Sequence, residues 1–450
     1  MSDLLSIGAS GVRAYQTALT AVGENIANVA TDGYSRRTVT TQEVSPAAGL
    51  SANKVSAGSG VVVLGIARST DVYATAAVRS ATSDLSRTQT GATWLSRIES
   101  TLTGDQVQTR LTSFFTAART LASDPSSNAL RATMLEAARS TASAFSATNA
   151  AFDQVQADFD GQARQAAQDL SSLAVSLVRV NDGLGRTQAG TAAAAQLTDQ
   201  RDQILTKMSA LADITSTTDY LGRATVRLGD RAGPVLAAPD VTGSVTYQRG
   251  TDGSVSFKVA VQGELHDFIP TGGSMAGMLD GAERINATRG AFNQVAKDFV
   301  NTVNTLQAGG QDVNGQQGAK MFALTDGTAN MSLLLTSGSA IAAASNGAGS
   351  RNADNLTLLE QARSNTSTGN FENRLTQIVT GNATTLKQRQ TVAEAQTAIS
   401  DGAKATLSAA SGVTLDSEAV TLMRFQQAYS ASSRVIQAAR DTFQSILELR

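Results

Sequence analysis

Residues 5–29, LSIGASGVRAYQTALTAVGENIANV, and residues 422–446, LMRFQQAYSASSRVIQAARDTFQSI, carry matching repeats. In the first, Leu5, Gly8, Val12, Tyr15, Leu19, Val22, Ile26 and Val29 follow one another at 3-4 spacing. In the second, Leu422, Phe425, Tyr429, Ser432, Ile436, Ala439, Phe443 and Ile446 do the same. Such a repeat keeps its members on one side of an α-helix, a stripe suited to packing along another long helix. Each segment therefore requires a helical partner. Because the two lie near opposite ends of the sequence, the economical arrangement folds the chain back so that they pair, with the rest looped out between them. This is the layout of an assembly protein more than of an enzyme.

Working inward, Thr31-Asp32-Gly33-Tyr34 breaks the first helix, Asp-Gly being a strong turn signal. Residues 36–68 alternate β-branched and polar side chains around Pro46 and several glycines, which predicts short extended pieces. Helical spacing returns over about 70–102, with Trp94, Leu95, Ile98 and Leu102 in phase, and again over about 107–122, up to the Asp124-Pro125 stop. Trp94, the single Trp, reads as a core anchor rather than a ligand platform. A long helix is expected over about 128–177, broken at Asn181-Asp182-Gly183, and another over 192–212, where Asp199-Gln200-Arg201-Asp202 reads as a solvated charged face. Composition then shifts: 214–270 holds three of the five prolines and period-2 runs such as Ala224-Thr225-Val226-Arg227-Leu228. Within it, 245–248 and 255–259 flank a Gly-containing loop and predict a hairpin. Helix resumes over about 274–306, an irregular Gly/Asn/Gln-rich stretch follows over 308–355, and long helices occupy about 373–410. Beyond Gly412, Asp416 is placed to cap the last helix and Glu418 to favour its dipole.

Composition narrows the function classes. The 450 residues include 38 Gly but only 20 aromatics, and small side chains favour long, closely packed helices over one globule. A net charge of −2 gives no basic footprint for nucleic acid or anionic lipid. With no Cys there are no disulfides and no thiolate chemistry. No apolar run is long enough to span a membrane, and the first residues lack the basic and apolar regions of a cleaved signal peptide. The lone His266 beside Asp267 reads as a surface residue. Asp312 and Asn314, near Gly315, read as turn residues, since the distal Glu of a calcium loop is missing. No nucleotide-binding glycine loop occurs. Nothing selects a catalytic group, a cofactor or a metal.

The stretch Glu24-Asn25-Ile26-Ala27-Asn28-Val29-Ala30-Thr31-Asp32-Gly33-Tyr34-Ser35-Arg36-Arg37 resembles the N-terminal signature of the axial proteins of the bacterial flagellum. Ser35-Arg36 after Gly33-Tyr34 looks most like the hook-associated protein 1 family, which forms the hook-filament junction. Residues 411–419 and 425–437 are similar to the C-terminus of the same family, and 121–127, 197–205, 272–279 and 312–315 resemble its interior segments in order.

The expected fold is mainly α: an elongated multi-domain helical bundle with paired terminal helices and a small inserted β module. Its parts would be a terminal pair (1–34 plus 412–450), a helical bundle with extended segments (35–213 plus 271–411) and the β module (214–270). The resemblance implies a non-enzymatic protein that assembles helically at the junction, exported to the extracellular flagellum by the type III apparatus without signal cleavage. Implied partners are copies of itself, the hook protein, the second junction protein and a chaperone binding the C-terminal segment, with neither nucleic acid nor membrane insertion. The assembly interface is assigned to Leu5, Val12, Tyr15, Leu19, Val22, Ile26, Asn28, Gly33 and Tyr34, and to Leu422, Phe425, Tyr429, Ile436, Phe443 and Ile446. Isolated helices of this kind are marginal, so the pair is expected to form on assembly rather than in the free chain. Another axial protein (hook or distal rod), a helical adhesive or signalling module, and an embedded wall hydrolase are the alternatives.

Overall fold

The computed structural model describes residues 2–44, 60–364 and 370–448; Pro46 lies outside them. The chain opens with α1 (Ser2–Ala27) and an antiparallel hairpin, β1 (Arg37–Glu43) and β2 (Val61–Arg68), whose register shifts between Thr40 and Thr41. Four helices follow: α2 (Val72–Gly104), α3 (Val107–Ser123), α4 (Asn128–Arg186) and α5 (Ala192–Leu211). Their starts are set by side chains that accept otherwise orphaned backbone N–H groups. Asp71 accepts from Tyr73 and Ala74, Ser127 from Leu130, and Thr191 from Ala194.

Strands β3 (Ile214–Thr218), β4 (Ala224–Leu228), β5 (Val235–Ala238) and β6 (Val241–Thr242) form one antiparallel sheet. A second sheet contains β7 (Ser244–Arg249), β8 (Val255–Val261) and β9 (Glu264–Phe268). The alternation read in 224–228 is real: Ala224, Val226 and Leu228 are buried and their neighbours are not. β7 and β8 pair as the expected hairpin. The module is clasped to α4 by Asp160, which accepts from Tyr247 Oη at 2.6 Å and from Arg249 Nε at 2.8 Å. His266 sits exposed on β9, its Nε2 3.7 Å from Glu264.

One expectation fails in this region. α4 does not break at Asn181-Asp182-Gly183 but runs on to Arg186. The fully buried Asn181 side chain accepts from the Ala224 N–H and donates to its carbonyl, both at 2.8 Å, a substitute for a strand neighbour. That tertiary demand outweighs the local turn preference of Asn-Asp-Gly.

The remaining helices are α6 (Gly273–Gly309), α7 (Asp354–Arg363), α8 (Phe371–Ser411) and α9 (Leu415–Glu448). Between α6 and α7 the irregular stretch holds only two- and three-residue strands and a 3₁₀ turn. There Asp312 accepts from the N–H groups of Asn314 and Gln316, closing the predicted turn. Scarce aromatics are concentrated in one core. Phe299 is surrounded by Phe114, Phe115, Phe145, Phe322 and Phe371, all with ring centroids within 6.1 Å. Trp94 is wholly buried, 4.9 Å from the Phe159 ring, and Gly281 lies so close that a Cβ there would come within 2.7 Å of the indole. Here the glycine is required by close approach, not by backbone conformation.

Candidate assembly interface at the terminal helix pair

α1 and α9 lie antiparallel and pack extensively on each other. Gly8 faces Ile436, Gly11 faces Ser432, Tyr15 and Phe425 have ring centroids 6.3 Å apart, and Asn25 meets Glu418. A Cβ on Gly8 would sit 2.7 Å from Ile436 Cγ1, so the glycines let the helices approach. The pairing forms within one chain, the fold-back arrangement expected from the two repeats.

The buried stripe of α1 is not the one the large apolar residues mark. It comprises Gly8, Gly11, Ala14, Ala18, Ala21, Val22 and Asn25, because α1 also packs on the β1–β2 hairpin, where Ser10 Oγ accepts from the Val61 N–H. Of the predicted face only Gly8 and Val22 are buried; Val12, Tyr15, Leu19 and Ile26 are half-buried, and Leu5 and Val29 are exposed. On α9 the predicted stripe does face α1 over its middle: Ala439 is buried, and Leu422, Phe425, Ser432 and Ile436 are half-buried. Tyr429, Phe443 (53% exposed) and Ile446 (51%) are exposed. Every phenylalanine outside α9 is buried, whereas the two on α9, Phe425 and Phe443, are not.

The signature residues build a polar hub where the pair meets the rest of the chain. Asn28 Nδ2 donates to the Glu24 carbonyl and its Oδ1 accepts from Thr31, closing the end of α1. Gly33 turns the chain with φ +74°, a conformation favouring glycine, and a Cβ there would meet the Gln203 side chain. Tyr34 Oη donates to Asn25 Oδ1 at 2.9 Å, and burial pushes its hydroxyl up to about 12, against the opposing pull of Arg37. Asn25 uses its whole amide: Oδ1 also accepts from the Arg37 N–H, while Nδ2 donates to the Arg37 carbonyl and to Glu418 Oε2. Glu418 is completely buried, its Oε1 2.6 Å from Arg36 Nε. The dipole role expected of Glu418 is thus secondary to a buried cross-link, and Asp416 stands exposed in the first turn, where Thr414 and Ser417 hydroxyls pair instead.

Charge continues through the hub. Arg37 reaches Glu24 (2.7 Å) and Asp199 (3.5 Å); Arg68 lies 2.9 Å from Asp199 and 2.6 Å from Asp202; Asp202 also takes Arg201 (2.8 Å) and Arg79 (3.2 Å). Asp199 and Asp202 are therefore not a solvated face, as the sequence suggested, but the buried centre of a network joining α1, β1, β2, α2 and α5. Burial raises the Asp199 carboxyl above its ordinary range despite Arg68 and Arg37. At Asp202 burial acts the same way, but Arg201 and Arg68 outweigh it and the carboxyl is held low. Burial also lowers Arg79, although Asp202 opposes this. One of these residues was findable: Glu418 falls in phase with Leu422 and Phe425, where an acid on an apolar stripe signals a buried partner.

Residues 95–322, half of the chain, match the model of the flagellar hook-associated protein FlgK helical domain. The chain belongs to this family. Residues 407–449, which include α9, match the flagellar basal body rod FlgEFG protein C-terminal model. The FlgK-family chain is similar to flagellar hook-associated protein 1 of Escherichia coli K12, 26% identical over 346 residues that cover 72% of this chain and 60% of that protein. The protein of the same name from Salmonella typhimurium is 27% identical over 341 residues, with the same coverage. The one from Bacillus subtilis is 23% identical over 476 residues, covering 94% of this chain and 93% of that protein. The chain thus spans about 60% of the length of its enterobacterial relatives. Among solved structures, the flagellar hook junction protein FlgK from Burkholderia pseudomallei is similar at 21% identity and a TM-score of 0.49, over 55% of this chain and 46% of that one.

Proposed function

We propose that this protein is a non-enzymatic structural component of the bacterial flagellum that joins hook to filament by helical self-assembly. Residues 1–34 with 412–450 form the assembly part, the inner layer of the tube. Residues 35–213 with 271–411 are the bundle that spaces it, and 214–270 are an inserted module. The observation that carries the reading is the apolar surface left on the closed pair, Phe443 and Ile446 on α9 and Leu5 on α1, beside a buried signature hub. Copies of the chain, the hook protein and a second junction protein cover that surface in the assembled structure. A chaperone holds the C-terminal segment before export, which proceeds to the cell exterior without signal cleavage. Neither nucleic acid nor membrane insertion enters this reading. Among the described residues, no helix is long and apolar enough to cross a membrane.

A hook or distal-rod protein is the second reading, favoured by the match over 407–449. The test is a host strain lacking its own copy, scored by electron microscopy. Hooks without filaments are expected, with filaments restored by the full chain and not by one lacking 422–446. Normal filament attachment by that truncated chain would overturn the proposal.

A further inference from the structure

The contact between α1 and α9 says little about register. On α1 it includes Gly8 facing Ile436, Gly11 facing Ser432 and Tyr15 meeting Phe425, and the two glycines leave room for an apolar partner one heptad along. On α9 the 3-4 repeat continues unbroken from Leu422 through Phe443. Sliding α9 by one heptad would bring Phe443 to Gly8, where Ile436 lies, and Ala439 to Gly11, where Ser432 lies. It would cover Phe443, which the observed register leaves 53% exposed. The slip would gain that cover in exchange for the contact of Tyr15 with Phe425, whose ring centroids are 6.3 Å apart.

A buried acid opposes the slip. Glu418 is wholly enclosed, with Oε1 2.6 Å from Arg36 Nε and Oε2 accepting from Asn25 Nδ2 at 3.0 Å. These bonds exist in one register only. After a slip Phe425 would stand opposite Asn25, and the amide and the guanidinium would lose their carboxylate. A slip also moves α9 by about 10 Å at the rise of an α-helix. The link between α8 and α9, Gly412-Val413-Thr414, cannot supply this unless the first turn of α9 opens. The backbone N–H of residue 418, which donates to the Thr414 carbonyl whatever the side chain, holds that turn closed.

We propose that Glu418 is a register pin: a positioning residue whose task is to select one alignment of the terminal helices rather than to strengthen their contact. A buried ionic group generally adds little stability over an apolar residue of similar size, and fixing register is its best-attested use. The alignment matters because it decides which large side chains the closed pair presents outward. The pin is a property of the single chain and does not depend on the flagellar reading.

The absence of cysteine makes the test direct. Paired Gly11→Cys and Ser432→Cys substitutions report the observed register, because a Cβ on Gly11 lies 3.3 Å from Ser432 Cβ. Paired Gly11→Cys and Ala439→Cys substitutions report the slipped one. In the otherwise unchanged full-length chain, oxidation should cross-link the first pair and leave the second at background. With Glu418→Leu added, the second cross-link should become the major product and the first should be lost, while Glu418→Gln, which keeps the bond to Asn25, should restore the original pattern. Retention of the first cross-link as the main product in Glu418→Leu would overturn the proposal. So would the loss of both, which would make Glu418 a requirement for pairing itself.

Discussion

Asp199 and Asp202 lie one helical turn apart in the same buried network, yet replacing each by Asn should have very different consequences. Asp202 faces Arg68, Arg201 and Arg79 at 2.6, 2.8 and 3.2 Å, and these guanidinium side chains are at most 17% exposed. Asp202→Asn removes the negative charge common to all three. Deleting one partner of a buried pair leaves uncompensated charge and costs about 3–5 kcal/mol. Asp199 is the opposite case: its raised carboxyl means that burial already exceeds the attraction of Arg68 and Arg37. Asp199→Asn relieves that burial cost while keeping the shape, so a loss of about 1 kcal/mol is expected, the scale of a net hydrogen bond. Hydrogen exchange of the β2 and α5 amides reads the local opening free energy, and urea denaturation gives the cooperative change through its midpoint at constant slope. Equal losses, or a larger one for Asp199→Asn, would refute the reasoning that Arg201 and Arg79 make Asp202 the keystone.

Acid should act on the two aspartates with opposite signs. The low Asp202 carboxyl contributes stability above its unfolded value and loses it as pH falls through the folded one. The raised Asp199 carboxyl is a cost that is relieved as pH falls through its folded value, which offsets part of the Asp202 loss, so Asp199→Asn should steepen the acid side of the stability curve and Asp202→Asn should remove its downward limb. At alkaline pH the Tyr34 hydroxyl, raised from 10 to about 12, keeps its stabilising contribution below 10 and loses it as pH rises through 12. Tyr34→Phe should remove that alkaline loss, as followed by thermal melts across this range. Gly281→Ala should cost about 1–3 kcal/mol, because the new methyl meets an indole that Phe159 prevents from retreating, and the fluorescence of the sole Trp reports the displacement. Gly8→Leu should pry the first turns of α1 from α9, seen as faster tryptic cleavage at the exposed Arg13 and Arg434 with the bundle core unchanged.

What the sequence made legible is what short-range chemistry decides. The stop at Asp124-Pro125 places the end of α3 at Ser123, and the alternation in 224–228 identifies β4 and its buried side, because in both places the determining atoms are a few residues apart. The misreadings share one cause. Asn181 looked like part of a break because its partner, Ala224, is 43 positions away, and Asp199 and Asp202 looked solvated because Arg37, Arg68 and Arg79 are 123 to 162 positions away. Local pattern cannot weigh a partner that only the fold supplies. The terminal helices add a different lesson. Searching for large apolar residues located the pair but rotated α1, since its contact stripe is made of Gly and Ala, whose value is close approach rather than transfer from water. Of the large side chains that the search picked out, Leu5, Val29, Tyr429, Phe443 and Ile446 are left outside by the closed pair. A repeat broader than the contact it makes within one chain leaves apolar side chains exposed. A lone acid in phase with that repeat, Glu418, shows where the chain spends affinity to make the first contact unique.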